Sequence, residues 1–393
     1  MKMYRAKSIS ALTIVTAALM ILVCGYSLCY NIIAVTMTPI INTFALTGTS
    51  QGLMTSMQNL GSILPLFIIP MLQGRVRKIW LILSASLLEI AMMFLTGAAA
   101  DFPMLLTACV LLGAGNNFLD TTVNAYIVDL HPNDSSKYLG MLHGFFGIGG
   151  LLTPILISAI LAHGTWRASY YISGAIFAGI VALFAIVAVP RRRKLASETA
   201  AAEQKLTAAM LKRYISGKRN LCLLAAGAFY AAAQLGLVNW VAYYETVRFN
   251  AVNLGSACVS AYWICCAVCR LFSGRLPFKP EKMLIAGAAL GGVFHAAGIL
   301  SGDAVVMVIA SGLVGLVSGL CIPVLLSEAA WGNSDMTSLT TSGIFLIMGV
   351  ARMLMPLGMG AVAAGSIVAA MLLPALASVI SAVLCAFAYF MKK

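Results

Sequence analysis

The chain is short of charge. Asp, Glu, Lys and Arg make up only 9% of its 393 residues, whereas a soluble domain carries about 25%. With 61% hydrophobic residues and a mean hydropathy of +0.96, no soluble core of this length hides the apolar surface. An integral membrane protein is the class that remains. No GxxxxGK[ST] loop occurs, which excludes a P-loop ATP engine. The ten cysteines lie mostly singly, and the Cys265-Cys266-x-x-Cys269 run has no His or acidic companion. Neither a metal site nor a structural disulfide is therefore expected, and the cysteines read as small buried hydrophobes. No nucleophile–base set marks an intramembrane enzyme, and no soluble output domain marks a sensor.

What the chain does have is hydrophobic runs long enough to span a bilayer. They predict helices at 10–36, 50–73, 79–100, 104–130, 138–162, 168–189, 220–246, 255–275, 283–301, 303–327, 338–362 and 366–390. The first is too long for a signal-peptide core and reads as an uncleaved helix. The net charge of +13 is unevenly placed. Lys2, Arg5, Lys7, Arg75, Arg77, Lys78, Lys137, the 191–219 cluster, Arg270, Arg275, Lys279, Lys282, Lys392 and Lys393 fall on one side of a twelve-helix topology; the other side has Arg167 and Arg248. The positive-inside rule then puts both termini in the cytoplasm of a plasma-membrane protein. The excess charge is a topology signal and a contact for anionic lipid, with no nucleic-acid role.

The polar stretch 191–219 divides the chain into an N-terminal bundle, 1–190, and a C-terminal bundle, 220–393. Weak internal similarity supports the division. "GRV" at 74–76 and "GRL" at 274–276 follow the second helix of each half, and "GIGGLLTP" at 147–154 aligns with "GVARMLMP" at 349–356. This pattern resembles the major facilitator superfamily. The expected fold is all-α, with twelve transmembrane helices in two six-helix pseudo-symmetric halves. The resemblance implies a solute site near the bilayer midplane, between rocking halves.

The fourth predicted helix contains "GAGNNFLDTTVNAYIVDL" (113–130). Asn116, Asn117, Asp120 and Asn124 sit at i−4, i−3, i and i+4, forming one polar stripe with Asp120 about 15 Å deep. A charge at mid-span costs roughly 2.5–3.5 kcal/mol on insertion scales. Interhelical hydrogen bonds return only ~0.6 kcal/mol each, weak reason for burying a carboxylate. The stripe is expected to face a cavity, with the amides suited to a hydroxyl-rich ligand and Asp120 able to exchange a proton. Asp129, on the opposite face, is expected to be solvated.

"FLDTTVNAYIVDL" (118–130), "LHGFFGIGGLLTP" (142–154) and "FYAAAQLGLVNWVAYY" (229–244) are similar to the fucose–galactose–glucose:proton symporter family. That resemblance implies coupling by Asp120 and sugar contact by Gln234, Asn239 and Trp240. Gln234 stands where that family often has Glu. No charged residue lies between Lys7 and Arg75, leaving Asn31 as the polar candidate on the first helix.

Further candidates are Gln58 and Asn59 on the second helix, Glu89 and His143 as a second carboxylate or gate, and Arg352. Arg352 is the one basic residue deep within a span and is placed to bind an anionic group or pair with Asp120 or Glu89. Tyr244 and Tyr262 are assigned to an interfacial belt, and Glu245 and Glu328 to the interface. The expected function is proton-coupled uptake of a sugar-like solute by a monomeric secondary transporter, with protons or sodium as coupling ion and no cofactor. The rivals are a proton-coupled efflux carrier for drugs or metabolites and an organic-anion carrier using Arg352.

Overall fold

The computed structural model describes residues 11–46, 48–72, 75–131, 134–191, 212–214, 216–272, 279–330 and 337–391. Most of the expected 191–219 linker lies outside them, as do Lys2, Arg5 and Lys7 and most of the two G-R motifs. Fourteen longer helices carry the fold: α1 (Ala11–Phe44), α2 (Gly48–Ile63), α3 (Pro65–Leu72), α4 (Lys78–Ala98), α5 (Phe102–Leu130), α6 (Ser135–His163), α7 (Trp166–Arg191), α8 (Lys218–Phe249), α9 (Val252–Phe272), α10 (Pro280–Ser301), α11 (Ala304–Ser318), α12 (Cys321–Ala330), α13 (Thr337–Ala363) and α14 (Ile367–Phe390). Among the described residues, twelve segments are long and apolar enough to cross a membrane. They match the expected runs with one large difference. The first helix continues to Phe44, through Pro39, instead of ending at 36. A membrane helix tolerates proline because neighbouring helices re-satisfy the freed backbone.

Two spans are each built from two helices, and proline explains both breaks. An α-helix pairs the carbonyl of residue i with the N–H of residue i+4, which Pro lacks. Pro65 orphans the Gly61 carbonyl, which accepts instead from Leu64 N at 3.1 Å, a tightened turn separating α2 from α3. Pro323 orphans the Gly319 carbonyl between α11 and α12. There Arg270 Nε reaches across from α9 and donates to it at 3.0 Å. At the end of the bundle opposite the chain termini, side chains cap the helix starts. Asp101 accepts from Met104 N at 2.8 Å, Asp303 from Val305 N and Val306 N, and Ser366 from Ala369 N.

Helices approach closely where one contributes glycine. A Cβ at Gly113 of α5 would lie 1.8 Å from the Gln58 carbonyl oxygen of α2. In the second half, a Cβ at Gly315 of α11 would lie 2.2 Å from the Tyr262 carbonyl oxygen of α9. Gly113 and Gly315 stand the same distance apart in sequence as Gly147 and Gly349, so the internal repeat is also a repeat of contacts. One apolar core comprises buried residues from Val15 to Ala188, and two others comprise residues from Leu223 to Ala388. The halves meet along α2 with α13 and α6 with α9. Gly52 faces the Pro356 carbonyl, Gly147 faces Ala267, and Ser158 Oγ and Ser256 Oγ share a 2.8 Å hydrogen bond.

Five residues assigned to solvent or to the membrane interface are paired or buried within the protein. Asp129 is ion-paired with Lys78 of α4 at 2.5 Å. Glu328 is paired with Arg219 of α8 at 2.9 Å, and Arg219 also donates to the Glu328 carbonyl. Tyr244 and Tyr262 belong to no belt: both are fully buried, Tyr244 toward the Ile299 carbonyl and Tyr262 under Gln234. Glu245, near the end of α8, is likewise buried. All ten cysteines are free thiols.

Candidate functional site

Asp120 lies mid-way along α5, enclosed by protein yet partly accessible. Asn124, one turn on, clamps it: Nδ2 donates to the Asp120 carbonyl at 2.8 Å and to Oδ1 at 3.1 Å. Asn117 is half-buried, and its Oδ1 accepts from Thr121 at 3.3 Å. Asn116 is buried, with both amide atoms unpartnered among the described residues. Facing the stripe from the other half is Arg352 of α13. It lies within electrostatic reach of Asp120, Tyr26 and Tyr30, and its Nε has no hydrogen-bond partner among the described residues. Asp120 and Arg352 do not form a contact ion pair, so each retains capacity for another partner.

The residues reasoned from sequence do not all meet here. Asn31 and Asn59 are buried and turn back on their own helices, donating to the Ser27 and Thr55 carbonyls at 2.8 and 2.7 Å. Gln58 is buried beside Gly113, with Nε2 unpartnered among the described residues. Glu89 is fully buried against α5 at Gly115, both oxygens unpartnered among the described residues, and its field reaches Tyr26 and Cys29 of α1. His143 is exposed on α6, within electrostatic reach of Arg270 in the other half. Asn239 and Trp240 are buried in the second half, Trp240 edge-on to Tyr243. Gln234 donates from Nε2 to the Tyr262 hydroxyl at 2.9 Å.

An aromatic file joins the two sides, and its members Tyr26, Tyr30 and Phe146 were not singled out in the sequence. Tyr26 and Tyr30 of α1 contact Phe146 of α6, with ring centroids 5.5 and 5.8 Å away. Phe146 meets Trp263 of α9 edge-on at 5.4 Å, and Trp263 meets Tyr262 at 5.3 Å. The file therefore runs from the neighbours of Asp120 to the partner of Gln234. The Tyr26/Tyr30 spacing of four was the available signal: it puts two aromatics on one face of a charge-free helix. A separate cavity of about 420 Å³ lies between α1, α6, α7 and α8, α9 at the end opposite the termini, lined by Thr38, Thr43, Trp166, Thr246 and Ser256 among others. Among the described residues no group of three or more metal-ligating side chains forms.

Residues 19–330 match the family model of the Major Facilitator Superfamily. The chain belongs to this superfamily. As a major facilitator protein it is a multi-pass membrane transporter of a small-molecule solute and not an enzyme. A comparison with curated proteins finds no match. Among solved structures, a bacterial homologue of the human lysosomal transporter Spinster, inward-facing and occupied, is 16% identical, with a TM-score of 0.73 and 96% of each chain covered. The same homologue in its inward-facing, unoccupied form gives 0.69 at 16% identity, covering 98% of this chain and 97% of that one. The fucose:proton symporter FucP of E. coli is 18% identical, with a TM-score of 0.64, covering 96% of this chain and 99% of that one. At these identities the likeness is one of fold.

Proposed function

We propose that this major facilitator protein is a secondary active carrier that takes up a sugar or sugar-like solute with protons. It would sit in the plasma membrane with both termini cytoplasmic, its bundles 1–190 and 220–393 rocking about the site and joined by the 191–219 linker. Asp120 carries the proton. Asn116, Asn117 and Asn124 bind solute hydroxyls from the first half, Gln234 binds from the second, and Tyr26, Tyr30 and Trp263 offer faces against which a sugar ring can pack. The observation that carries the reading is the clamped, partly accessible Asp120 on an amide stripe, with Arg352 of the other half acting on it but not paired with it. A carboxylate locked in a permanent ion pair would have no reason to exchange its proton; this one is held by an amide.

The test is Asp120→Asn in proteoliposomes, after a thermal-shift panel of neutral and acidic sugars has identified a ligand. The expected result is an accumulation ratio that collapses to about unity under an imposed pH gradient, while counterflow exchange of the same solute persists. Undiminished uphill uptake by the variant refutes the coupling role. A second reading, an acid-sugar or other organic-anion carrier, draws on the unpartnered Nε of Arg352. It requires Arg352→Gln to abolish binding of acidic ligands and spare neutral ones.

A further inference from the structure

The second half holds a small cavity of about 10 Å³ between α8, α9, α10, α11 and α14, bordered by Gln234, Tyr262, Gly291, His295, Ser318 and Ser378. Most donors around it are committed. Tyr230 OH donates to the Ser318 carbonyl at 2.6 Å, Ser318 Oγ to the Val314 carbonyl at 2.6 Å, and Ser378 Oγ to the Ala288 carbonyl at 2.7 Å. Gln234 Nε2 donates to the Tyr262 hydroxyl at 2.9 Å. Two groups stay open. The Tyr262 hydroxyl accepts from Gln234 and its own proton has no acceptor among the described residues. His295, only 3% exposed, has an Nε2 with no partner among the described residues. An unpaired ring nitrogen is costly to bury. The space fits one water, and a buried water needs two to four polar partners, which these groups supply.

We propose that this cavity is a binding site for a single water molecule, which donates to His295 Nε2 and accepts from the Tyr262 hydroxyl. Its second proton meets the free lone pairs of Ser318 or Ser378 Oγ. The consequence falls on Gln234. With the phenolic proton committed to the water, the Tyr262 oxygen can only accept, so Gln234 must present its N–H to Tyr262 and turn its carbonyl away. His295 is thus a positioning residue that fixes the amide orientation of Gln234 without touching solute. Only that last step leans on the solute role proposed for Gln234; the water site stands without it.

The test needs no solute. A Cβ at Gly291 would meet Ser378 Oγ at 3.5 Å, Ser318 Cβ at 3.6 Å and Val314 Cγ1 at 3.9 Å, all ordinary contacts. Gly291→Ala therefore fills the cavity without a clash. In a dry cavity it stabilises, by packing and by helix propensity. In a hydrated one it expels the water and leaves His295 unpaired. The purified full-length protein in detergent should lose about 2–4 °C of melting temperature on Gly291→Ala. Gly179→Ala, which meets nothing within 4 Å, should lose none. In a His295→Leu background the sign should reverse, Gly291→Ala then raising the melting temperature. A gain or no change for Gly291→Ala in the wild-type background overturns the proposal, as does the same loss in both backgrounds. If His295→Leu does not fold, ¹⁵N NMR of the histidine rings decides. A His295 Nε2 shifted as a hydrogen-bonded acceptor supports the water, and one shifted as a free acceptor overturns it.

Discussion

Gly113→Ala asks whether the polar stripe is held in place by backbone contact. The added Cβ would lie 1.8 Å from the Gln58 carbonyl oxygen, 2.7 Å from its carbon and 3.1 Å from its Cα. Relief to the 3.0 Å below which such contacts essentially do not occur requires α5 and α2 to part by roughly 1.2 Å. No flexible side chain absorbs this, because the obstacle is main chain. α2 cannot retreat either. On its far side Gly52 is pressed against α13, where a Cβ would be 2.2 Å from the Pro356 carbonyl oxygen. Overpacking of this kind costs ~1–3 kcal/mol, against a helix-propensity gain of ~0.5–1 kcal/mol from replacing glycine. A net loss of ~1–2 kcal/mol corresponds to a fall of roughly 2–8 °C in melting temperature. The assay is thermal unfolding in detergent followed by labelling of buried thiols; Cys109 lies one turn away on α5 and is 1% exposed. Gly179→Ala, with open space around it, is the matched control and should not destabilise. A Gly113→Ala protein that melts with or above the wild type would show that the helices are not in backbone contact, and the placement of Asn116, Asn117 and Asp120 would fall with it.

The two ion pairs named above should differ in worth. Arg219 and Glu328 side chains are 14% and 11% accessible, and Lys78 and Asp129 21% and 27%. Arg219→Met should cost ~1–3 kcal/mol after screening and lower the melting temperature more than Lys78→Met does; equal or inverted losses refute the ranking. His131, beyond the end of α5, shares a 2.7 Å hydrogen bond with Thr16 Oγ and stacks on Tyr138. Burial lowers its pKa below the ordinary 6.5, Asp134 partly opposing. The unfolded chain then binds the proton more readily, so His131 contributes stability that is full above about pH 6.5 and lost as pH falls below it. An NMR midpoint at or above 6.5, or a pH dependence of melting unchanged by His131→Gln, counts against this.

The twelve spans were legible because bilayer thickness dictates run length and the backbone must bond to itself. Asp120 stood out in the sequence because an ionisable group in a span is rare enough to need a reason, and the structure encloses it beside Asn124. What failed was rotation about a helix axis. Tyr262 was placed in a belt by its sequence neighbourhood, but α9 turns it inward, where Gln234 finds it. Asp129 and Glu328 were read alone because their partners, Lys78 and Arg219, are 51 and 109 residues away. The internal repeat carries information that neither half carries alone. It maps Gly150 onto Arg352. A Cβ at Gly150 would lie 2.9 Å from the Trp263 ring, so α6 and α9 close tightly there and leave no room for a side chain. At the equivalent place on α13 the chain carries a guanidinium whose field reaches Asp120. The two halves, built on one packing plan, differ here: one closes a contact with glycine and the other projects a charge. A local departure from a shared packing plan is where a functional position is expected, and Arg352, set against a glycine in the repeat, is the residue that comparing the two halves raises for test.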